Sequence, residues 1–275
     1  MTSNTTLSVS ILSGKGGVGK TNIALNLGYC LFKGRHRLLL MDCDLGLANL
    51  DVLLGIAPEK NLQDILDTDV DPREVTVSIA QGGFDFLPAA SGVPELLEMD
   101  EEMRTAMLKK LIPIFAPYDF LFLDLGAGIT PTVISFASMS QVRLVIVTPE
   151  PTSLTDSYAL MKVLLTQHGV RDFYVVVNMV ESKAEEKRTF ERLRAACEKF
   201  LGIDIQLLGG IRTDKSVTEA VRKQTPLMQL SPKSPAAQDL FAVALKLSRL
   251  RKELLPVIAN KPALDLKRPE DTDFS

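Results

Sequence analysis

Several short runs of this sequence are apolar at every position rather than at alternate positions. Leu38–Leu40, Leu144–Val147 and Val175–Val177 are three of them. A strand that is apolar on both faces is buried on both faces, which is typical of a parallel sheet covered by helices. Runs of this kind predict seven strands: Leu7–Leu12, Arg37–Met41, Phe84–Leu87, Phe120–Asp124, Leu144–Thr148, Phe173–Asn178 and Ile205–Ile211.

Between these runs the sequence takes on helical periodicity. The expected helices are Lys20–Lys33, Asp100–Phe115, Pro131–Ser138, Thr152–Gln167, Ala184–Phe200, Ser216–Gln224 and Ser234–Leu255. This alternation predicts an α/β fold with a mostly parallel β-sheet flanked by helices on both faces. We interpret residues 1–255 as one domain, because no linker or low-complexity stretch interrupts them. Residues 256–275 contain two further prolines, Pro262 and Pro269, and are expected to form a poorly ordered tail.

Composition argues against several classes of protein: nucleic-acid binders, disulfide-rich or cysteine-ligated metal proteins, and membrane-spanning proteins. Lys and Arg total 31 against 34 Asp and Glu, a net charge of −3, so direct nucleic-acid binding is not expected. The three cysteines form no CxxC pair, which argues against a disulfide framework and against an iron–sulfur or other Cys-rich metal site. No apolar run is long enough for a membrane span, and the N-terminus lacks signal-peptide features, so we expect a cytoplasmic protein.

One segment matches the phosphate-binding pattern G-x-x-x-x-G-K-[ST], directly after an apolar strand and before a helix. Its residues are Gly14, Lys15, Gly16, Gly17, Val18, Gly19, Lys20 and Thr21. Glycines let successive N–H groups face an anion, and the helix adds the positive end of its dipole. Lys20 would contact the β- and γ-phosphates, and the Thr21 hydroxyl would bind Mg²⁺. Lys15 is a second lysine, which would stay in solvent or serve a phosphate of a facing subunit.

Carboxylates occur at two strand ends. Asp42 and Asp44 follow the second strand, and Asp124 ends the apolar strand Phe120–Asp124. Ligands of parallel sheets lie beyond the carboxyl ends of the strands, so these groups are expected beside the phosphate loop. Carboxylates at such a site hold Mg²⁺ or its water, and orient the attacking water. We therefore expect a site for ATP and Mg²⁺.

The loop K-G-G-V-G-K-T resembles the deviant Walker A loop of MinD/ParA-type ATPases, and the resemblance extends over nearly all of residues 7–255. It implies dimerisation around two ATP molecules, with Lys15 reaching the partner's phosphates. It assigns the hydrolytic water to Asp44 and support of the Mg²⁺ shell to Asp42, so the catalytic residues would be Asp44, Lys15 and Lys20. The metal-site residues would be Thr21, Asp42 and Asp124. Asn178 resembles the asparagine that reads the adenine edge, and Arg212 lies in the loop expected to flank the base.

The stretch Pro149–Leu160, P-E-P-T-S-L-T-D-S-Y-A-L, is similar to a segment of flagellar-number regulators of the FlhG (FleN, YlxH) type. Gly126–Ile129 and Glu219–Gln224 resemble the same branch. That branch implies a flagellar SRP-type GTPase, switch-complex proteins or a transcription regulator as partners, with Glu150 and Asp156 at the ATP-dependent dimer face. The activator motif D-Q-A-x-x-L-R of many such regulators does not occur in Met1–Thr6, so the resemblance does not extend to GTPase activation through it.

Two alternatives to a flagellar regulator remain open from the sequence. One is a division-site or partition ATPase, and the other is a nucleotide-binding adaptor with negligible hydrolysis. The final helix carries Leu240, Val243, Leu247, Leu250 and Leu254 on one face. We expect this face to pack on the sheet, and the alternative is a weak contact with the inner face of the cell membrane.

Overall fold

The computed structural model of the chain describes residues 4–44, 50–61, 64, 70–88 and 101–265. Eight strands form one sheet in the order β3-β4-β2-β5-β1-β6-β7-β8, and only β3 runs antiparallel to its neighbour. The strands are β1 Leu7–Ser13, β2 Leu38–Cys43, β3 Val77–Ala80, β4 Phe84–Leu87, β5 Phe120–Ala127, β6 Val142–Val147, β7 Phe173–Val180 and β8 Gln206–Arg212. The predicted α/β class is confirmed.

Nine α-helices are described in the resolved ranges, together with a 3-10 helix at Pro72–Val75. They are α1 Lys20–Lys33, α2 Leu50–Leu54, α3 Glu101–Phe115, α4 Pro131–Met139, α5 Pro151–His168, α6 Lys183–Leu201, α7 Lys215–Arg222, α8 Leu227–Leu230 and α9 Pro235–Ile258. Helices α3 to α6 enclose one apolar cluster against the sheet, and α1 and α9 enclose a second cluster on the opposite face. The continuous apolar strands lie between these two layers, as their sequences predict.

Helix α9 differs from the expectation at its end. It continues past Pro256 to Ile258, and the chain beyond it stays packed, because Ala263 and Leu264 are buried. The backbone N–H of Asp265 also donates to the carbonyl of Met139 at the end of α4. The expected tail therefore cannot begin at residue 256, since residues 256–265 belong to the packed structure. Residues 266–275 lie outside the described ranges.

The apolar face of α9 packs on the sheet, as expected. Leu240, Val243 and Leu247 are buried in the cluster shared with α1, and Leu250 and Leu254 pack against it. A membrane contact through these leucines would require α9 to leave the sheet. Within the part of the chain that the structure describes, no helix has both the length and the apolar composition to cross a bilayer.

Candidate nucleotide site

The phosphate loop joins β1 to α1 at the carboxyl edge of the sheet. Gly19 has a φ of 91°, which favours glycine, and no side chain caps the start of α1 at this residue. Gly14 lies against the first turns of α5, and a Cβ added there would sit 2.1 Å from the carbonyl carbon of Asp156. The Ser13 hydroxyl donates to the carbonyl of Lys15 over 2.6 Å, a contact that no sequence pattern indicated. The loop thus leads directly into the first turn of α1, whose N–H groups have no side-chain cap.

Lys20 is buried at the first position of α1. Burial lowers the pKa of its ammonium, and the nearby carboxylates of Asp124 and Asp44 act in the opposite direction. The structure therefore brings together one buried cation and two carboxylates, as the sequence predicts. A buried cation that is only partly compensated attracts a further anion strongly, which suits a triphosphate.

Asp42 and Asp124 are neighbours in register on β2 and β5, and both are almost fully buried. Asp42 was expected beyond the second strand, but β2 extends to Cys43, so Asp42 lies inside it. Burial and the adjacent Asp124 raise the pKa of Asp42 to about 8. Burial likewise raises the pKa of Asp124 to about 7, and the Thr21 hydroxyl and the Lys20 ammonium oppose that shift.

The carboxyl pair fits a magnesium ion. Asp42 Oδ2 and Asp124 Oδ1 are buried without a hydrogen-bond partner, and the Thr21 hydroxyl is bonded to Asp124. Oxygen donors of this kind are what Mg²⁺ prefers. No group of three or more His, Cys, Asp or Glu residues that could hold a metal alone occurs among the residues that can be described. An ion here would take its other ligands from water and from phosphate, which is usual for Mg²⁺ at a phosphate loop.

Asp44 follows β2 and lies at the edge of the carboxyl pair. Its backbone N–H donates to Asp42 Oδ1 over 3.0 Å. Its own carboxylate lies close to Gly126 at the end of β5, where an added Cβ would sit 3.2 Å from Asp44 Oδ1. The Asp44 carboxylate thus lies near both the strand end of β5 and the Lys20 ammonium, whose pKa it raises.

Lys15 contacts its own subunit, although its side chain is 40% exposed. Its Nζ lies 2.5 Å from Glu150 Oε2 and donates to Thr152 Oγ1 over 3.1 Å. Both partners belong to the start of α5. The sequence placed Glu150 at the dimer face and Lys15 at the partner's phosphates, but no signal in it joined the two residues, and Thr152 was missed. In the single chain, the second lysine of the loop is thus held by its own subunit.

Asn178 and Arg212 lie at the ends of β7 and β8. Asn178 is buried, and its Nδ2 donates to the carbonyl of Val18 over 2.7 Å, which ties β7 to the phosphate loop. The Arg212 guanidinium forms a two-pronged ion pair with Asp239 of α9, at 2.7 and 2.9 Å. Asn178 therefore joins the loop, whereas the guanidinium of Arg212 is directed to α9. An adenine contact by either residue stays a prediction.

The sequence that forms this site matches one known nucleotide-binding domain. The domain described as the CobQ/CobB/MinD/ParA nucleotide binding domain matches residues 9–227. The chain belongs to this MinD/ParA family. The resemblance that K-G-G-V-G-K-T indicated is thereby confirmed.

Two relatives are the proteins FleN and YlxH, which belong to the branch that the stretch Pro149–Leu160 indicated. The chain is 38% identical over 238 residues to the antiactivator FleN of Pseudomonas aeruginosa, and the match covers 86% of this chain and 85% of FleN. It is 30% identical over 251 residues to the flagellum site-determining protein YlxH of Helicobacter pylori, covering 90% of this chain and 84% of YlxH.

A solved relative confirms the fold. The septum site-determining protein MinD from Pyrococcus horikoshii, determined in complex with Mg-ADP, aligns with a TM-score of 0.73 at 25% identity. The alignment covers 89% of this chain and 97% of MinD. This MinD/ParA family member therefore shares the MinD arrangement of sheet and helices over the aligned 89% of the chain.

Proposed function

We propose that this protein is a MgATP-dependent, dimerising ATPase switch that regulates flagellar number and placement. The observation that carries the enzymatic part is the convergence of Lys20 and Thr21 with the buried pair Asp42 and Asp124. These groups form a cationic loop beside unpaired carboxylate oxygens. MinD in its complex with Mg-ADP is a relative with the same fold, which supports this choice of ligand.

The phosphate loop binds the triphosphate. The N–H groups of Gly14 to Thr21 and the start of α1 face the anion, and Lys20 neutralises the β- and γ-phosphates. Thr21 and Asp124 would hold Mg²⁺ directly or through water, and Asp42 would accept a hydrogen bond from its bound water. When bound, the ion would neutralise phosphate charge. Both carboxyl groups would then be ionised, because the charge of Mg²⁺ would offset the burial that raises their pKa.

Asp44 orients the attacking water. Its carboxylate lies beside Gly126, outside the buried pair, and accepts a hydrogen bond from a water aligned with the terminal phosphorus. Hydrolysis is slow and is stimulated by a partner, because Lys15, the second cation of the phosphate loop, is held by Glu150 in the single chain. The dimer supplies that cation when Lys15 turns to the partner's nucleotide.

Asn178 and the loop that begins at Arg212 flank the adenine. Asn178 is well placed for this, since it contacts Val18 in the phosphate loop. An amide donates and accepts in one plane, as an adenine edge requires. Arg212 contributes through the position of its loop, which its ion pair with Asp239 fixes against α9.

The flagellar role is inferred from two relatives. FleN is named an antiactivator, and YlxH is named a flagellum site-determining protein. The protein acts in the cytoplasm. Peripheral contact at the inner face of the membrane is the alternative, which requires α9 to leave the sheet. Its partners are a flagellar SRP-type GTPase, switch-complex proteins or a transcription regulator. The second candidate is a division-site ATPase, which the similarity to MinD favours.

A gene deletion tests the flagellar role in the organism that carries this chain. Loss of the gene is expected to change flagellar number or placement, and the parent gene but not Lys20→Ala should restore the pattern. Lys33→Ala, at the far end of the same helix, is the matched control. Normal flagella with misplaced septa or lost plasmids would assign the protein to division or partition. Failure of every partner tested to stimulate phosphate release would leave a nucleotide-binding adaptor.

A further inference from the structure

Gln224 has a backbone conformation that is unusual for its residue type. It follows Lys223, the C-cap of α7, with a φ of 48°, and the N–H groups of Gln224 and Thr225 donate to carbonyls of α7. Glycine is the usual residue at this position after a helix, because a side chain is disfavoured at positive φ. A glutamine here is strained, and such strain is typical of positions where the side chain has a task of its own.

The side chain of Gln224 reaches α2. Its Nε2 donates to the carbonyl of Val52 over 2.8 Å, although the two residues are 172 positions apart in the chain. The side chain also packs over Gly55, where an added Cβ would lie 3.2 Å from Gln224 Oε1. Gly55 follows α2 with a φ of 63°, so it supplies both the turn and the space for this contact.

Helix α2 depends on such support because it is short. It spans only five residues, so its last carbonyls rely on donors from outside the helix. The N–H of Gly55 lies 3.3 Å from the Val52 carbonyl, and the Gln224 amide lies closer. The Val52 side chain is 60% exposed and contributes little packing, whereas Leu50 at the other end of α2 is fully buried. The hydrogen bond from Gln224 therefore holds the more exposed end of α2.

The turn that carries Gln224 is itself anchored to the helix of the phosphate loop. Asn26 of α1 is buried, and its Oδ1 accepts a hydrogen bond from the backbone N–H of Met228 over 3.2 Å. Leu227 is buried in the apolar cluster that α1 shares. The α7–α8 turn is thus fixed against α1, and Gln224 fixes α2 against that turn.

The other end of α2 contacts the carboxyl pair. The backbone N–H of Leu50 donates to the carboxyl group of Asp42, as does the N–H of Asp44. Asp42 lies in register with Asp124, its neighbour in the site proposed for Mg²⁺. A displacement of α2 would move one of the two backbone donors that orient Asp42.

We propose that Gln224 is a positioning residue for ATP hydrolysis, which ties α2 to the α7–α8 turn and thereby holds the Leu50 N–H against the carboxyl group of Asp42. The inference rests on the proposed function, because that function gives Asp42 its task beside the nucleotide. Gln224 acts through α2 and touches no reacting atom. Its loss should therefore reduce turnover and leave the binding of MgATP unchanged.

Hydrogen exchange of the nucleotide-free chain tests the tether without any reaction. Gln224→Gly removes the side chain and suits a positive φ, and Gln224→Asn tolerates that φ but is one methylene shorter. In both variants, residues 50–55 should exchange about threefold faster or more, while α9 exchanges as in the parent. Gln229→Asn, at an exposed glutamine of α8, is the matched control and should exchange like the parent. Parent-like exchange in Gln224→Gly would overturn the tether.

Phosphate release at saturating MgATP tests the effect on the reaction. Both Gln224 variants should lower kcat about fivefold, and the Kd for MgATP should stay within about twofold of the parent value because Lys20 is untouched. Urea unfolding should show no loss of stability in Gln224→Gly, since glycine relieves the strained φ. A parent-like kcat would overturn the positioning role and leave the ATPase proposal intact. So would a fall in kcat matched by a fall in overall stability or in MgATP affinity. A parent chain that hydrolyses no ATP would overturn the proposed function, and the catalytic role of Gln224 with it.

Discussion

Lys15 Nζ and Glu150 Oε2 lie 2.5 Å apart across the join between the phosphate loop and α5. Thr152 accepts a second hydrogen bond from the same ammonium group. The lysine that the proposed dimer needs for its partner's phosphates is therefore engaged within its own subunit. Dimerisation has to break this contact, and its strength helps to set the nucleotide concentration at which the dimer forms. Both side chains are partly exposed, at 40% and 61%, so the pair contributes at most about 1 kcal/mol.

Glu150→Gln should favour the ATP-bound dimer, because Lys15 then leaves α5 more readily. Given the modest strength of an exposed ion pair, the MgATP concentration for half-maximal dimerisation should fall by up to about fivefold. Light scattering recorded as a function of MgATP concentration measures this midpoint of dimerisation. Glu219→Gln is the matched control, because it breaks an exposed ion pair with Lys223 that does not involve the phosphate loop. A variant that needs more MgATP than the parent would show that Glu150 supports the dimer instead.

Asp44→Ala and Lys15→Ala should separate dimer formation from dimer dissolution. Asp44→Ala keeps the phosphate loop and lowers the charge repulsion with the γ-phosphate, so it should bind MgATP, hydrolyse little and persist as a dimer. Lys15→Ala should bind MgATP, remain a monomer and hydrolyse little. The double variant should also be a monomer, because the contact of Lys15 with the partner's nucleotide has to form before slow hydrolysis can keep the dimer together. A monomeric Asp44→Ala at saturating MgATP, or a fully dimeric Lys15→Ala, would contradict this mechanism.

Lys20→Ala should lose nucleotide affinity. The buried ammonium is the one cation that α1 directs at the phosphates, so its loss should cost about 2 kcal/mol or more, a roughly thirtyfold rise in Kd for MgATP. Isothermal titration calorimetry measures the change. Lys33→Ala removes a lysine from the other end of the same helix and should leave the Kd unchanged. Parent-like affinity in Lys20→Ala would refute the assignment of the phosphate loop.

The sequence predicted the sheet and most of the site because both depend on local patterns. Uninterrupted apolar runs marked the buried strands, and the phosphate loop has a fixed spacing between glycine and lysine. Strand β3, Val77–Ala80, was missed because it is a four-residue antiparallel edge strand without a continuous apolar run. The end of α9 was misjudged because proline usually stops a helix, yet Pro256 lies in the last turn, where few hydrogen bonds remain to be lost.

Long-range contacts were beyond the reach of these patterns. The contact of Lys15 with Glu150 joins residues 135 positions apart, and that of Arg212 with Asp239 joins two secondary-structure elements. Such contacts depend on the assembled sheet, which brings residues distant in the sequence together, so a local sequence pattern does not predict them. Asn178 was predictable in part. The sequence predicted its place at the end of a strand, but not the hydrogen bond that it donates to the carbonyl of Val18.

Arg251→Met should destabilise the fold. The buried guanidinium donates to the carbonyls of Thr5 and Asp119 over 2.6 and 2.8 Å, and pairs with Asp119 Oδ1. Its removal breaks two part-buried hydrogen bonds from a charged donor and one ion pair, at a cost of about 2 kcal/mol. Urea unfolding followed by circular dichroism measures the loss. Arg249→Met, an exposed position two residues earlier on α9, should change stability by less than about 0.5 kcal/mol. Equal effects of the two substitutions would show that the Arg251 contacts contribute little.

The carboxyl pair should make the nucleotide-free protein less stable as pH rises. The pKa values of Asp42 and Asp124 are raised to about 8 and about 7 in the folded chain, mainly by burial, whereas an unfolded aspartate titrates near 4. Between these values the folded state binds more protons than the unfolded state, so the free energy of unfolding falls with increasing pH. Each group loses about 1.4 kcal/mol per pH unit below its folded pKa, so from pH 5 to pH 8 the loss for the pair should be on the order of 5 to 6 kcal/mol, measured by urea unfolding. Asp42→Asn should flatten this slope, because an amide carries no charge to bury, whereas Asp204→Asn, at an exposed carboxylate, should preserve it. A parent protein whose stability rises over this range would show that the pair is ionised without nucleotide.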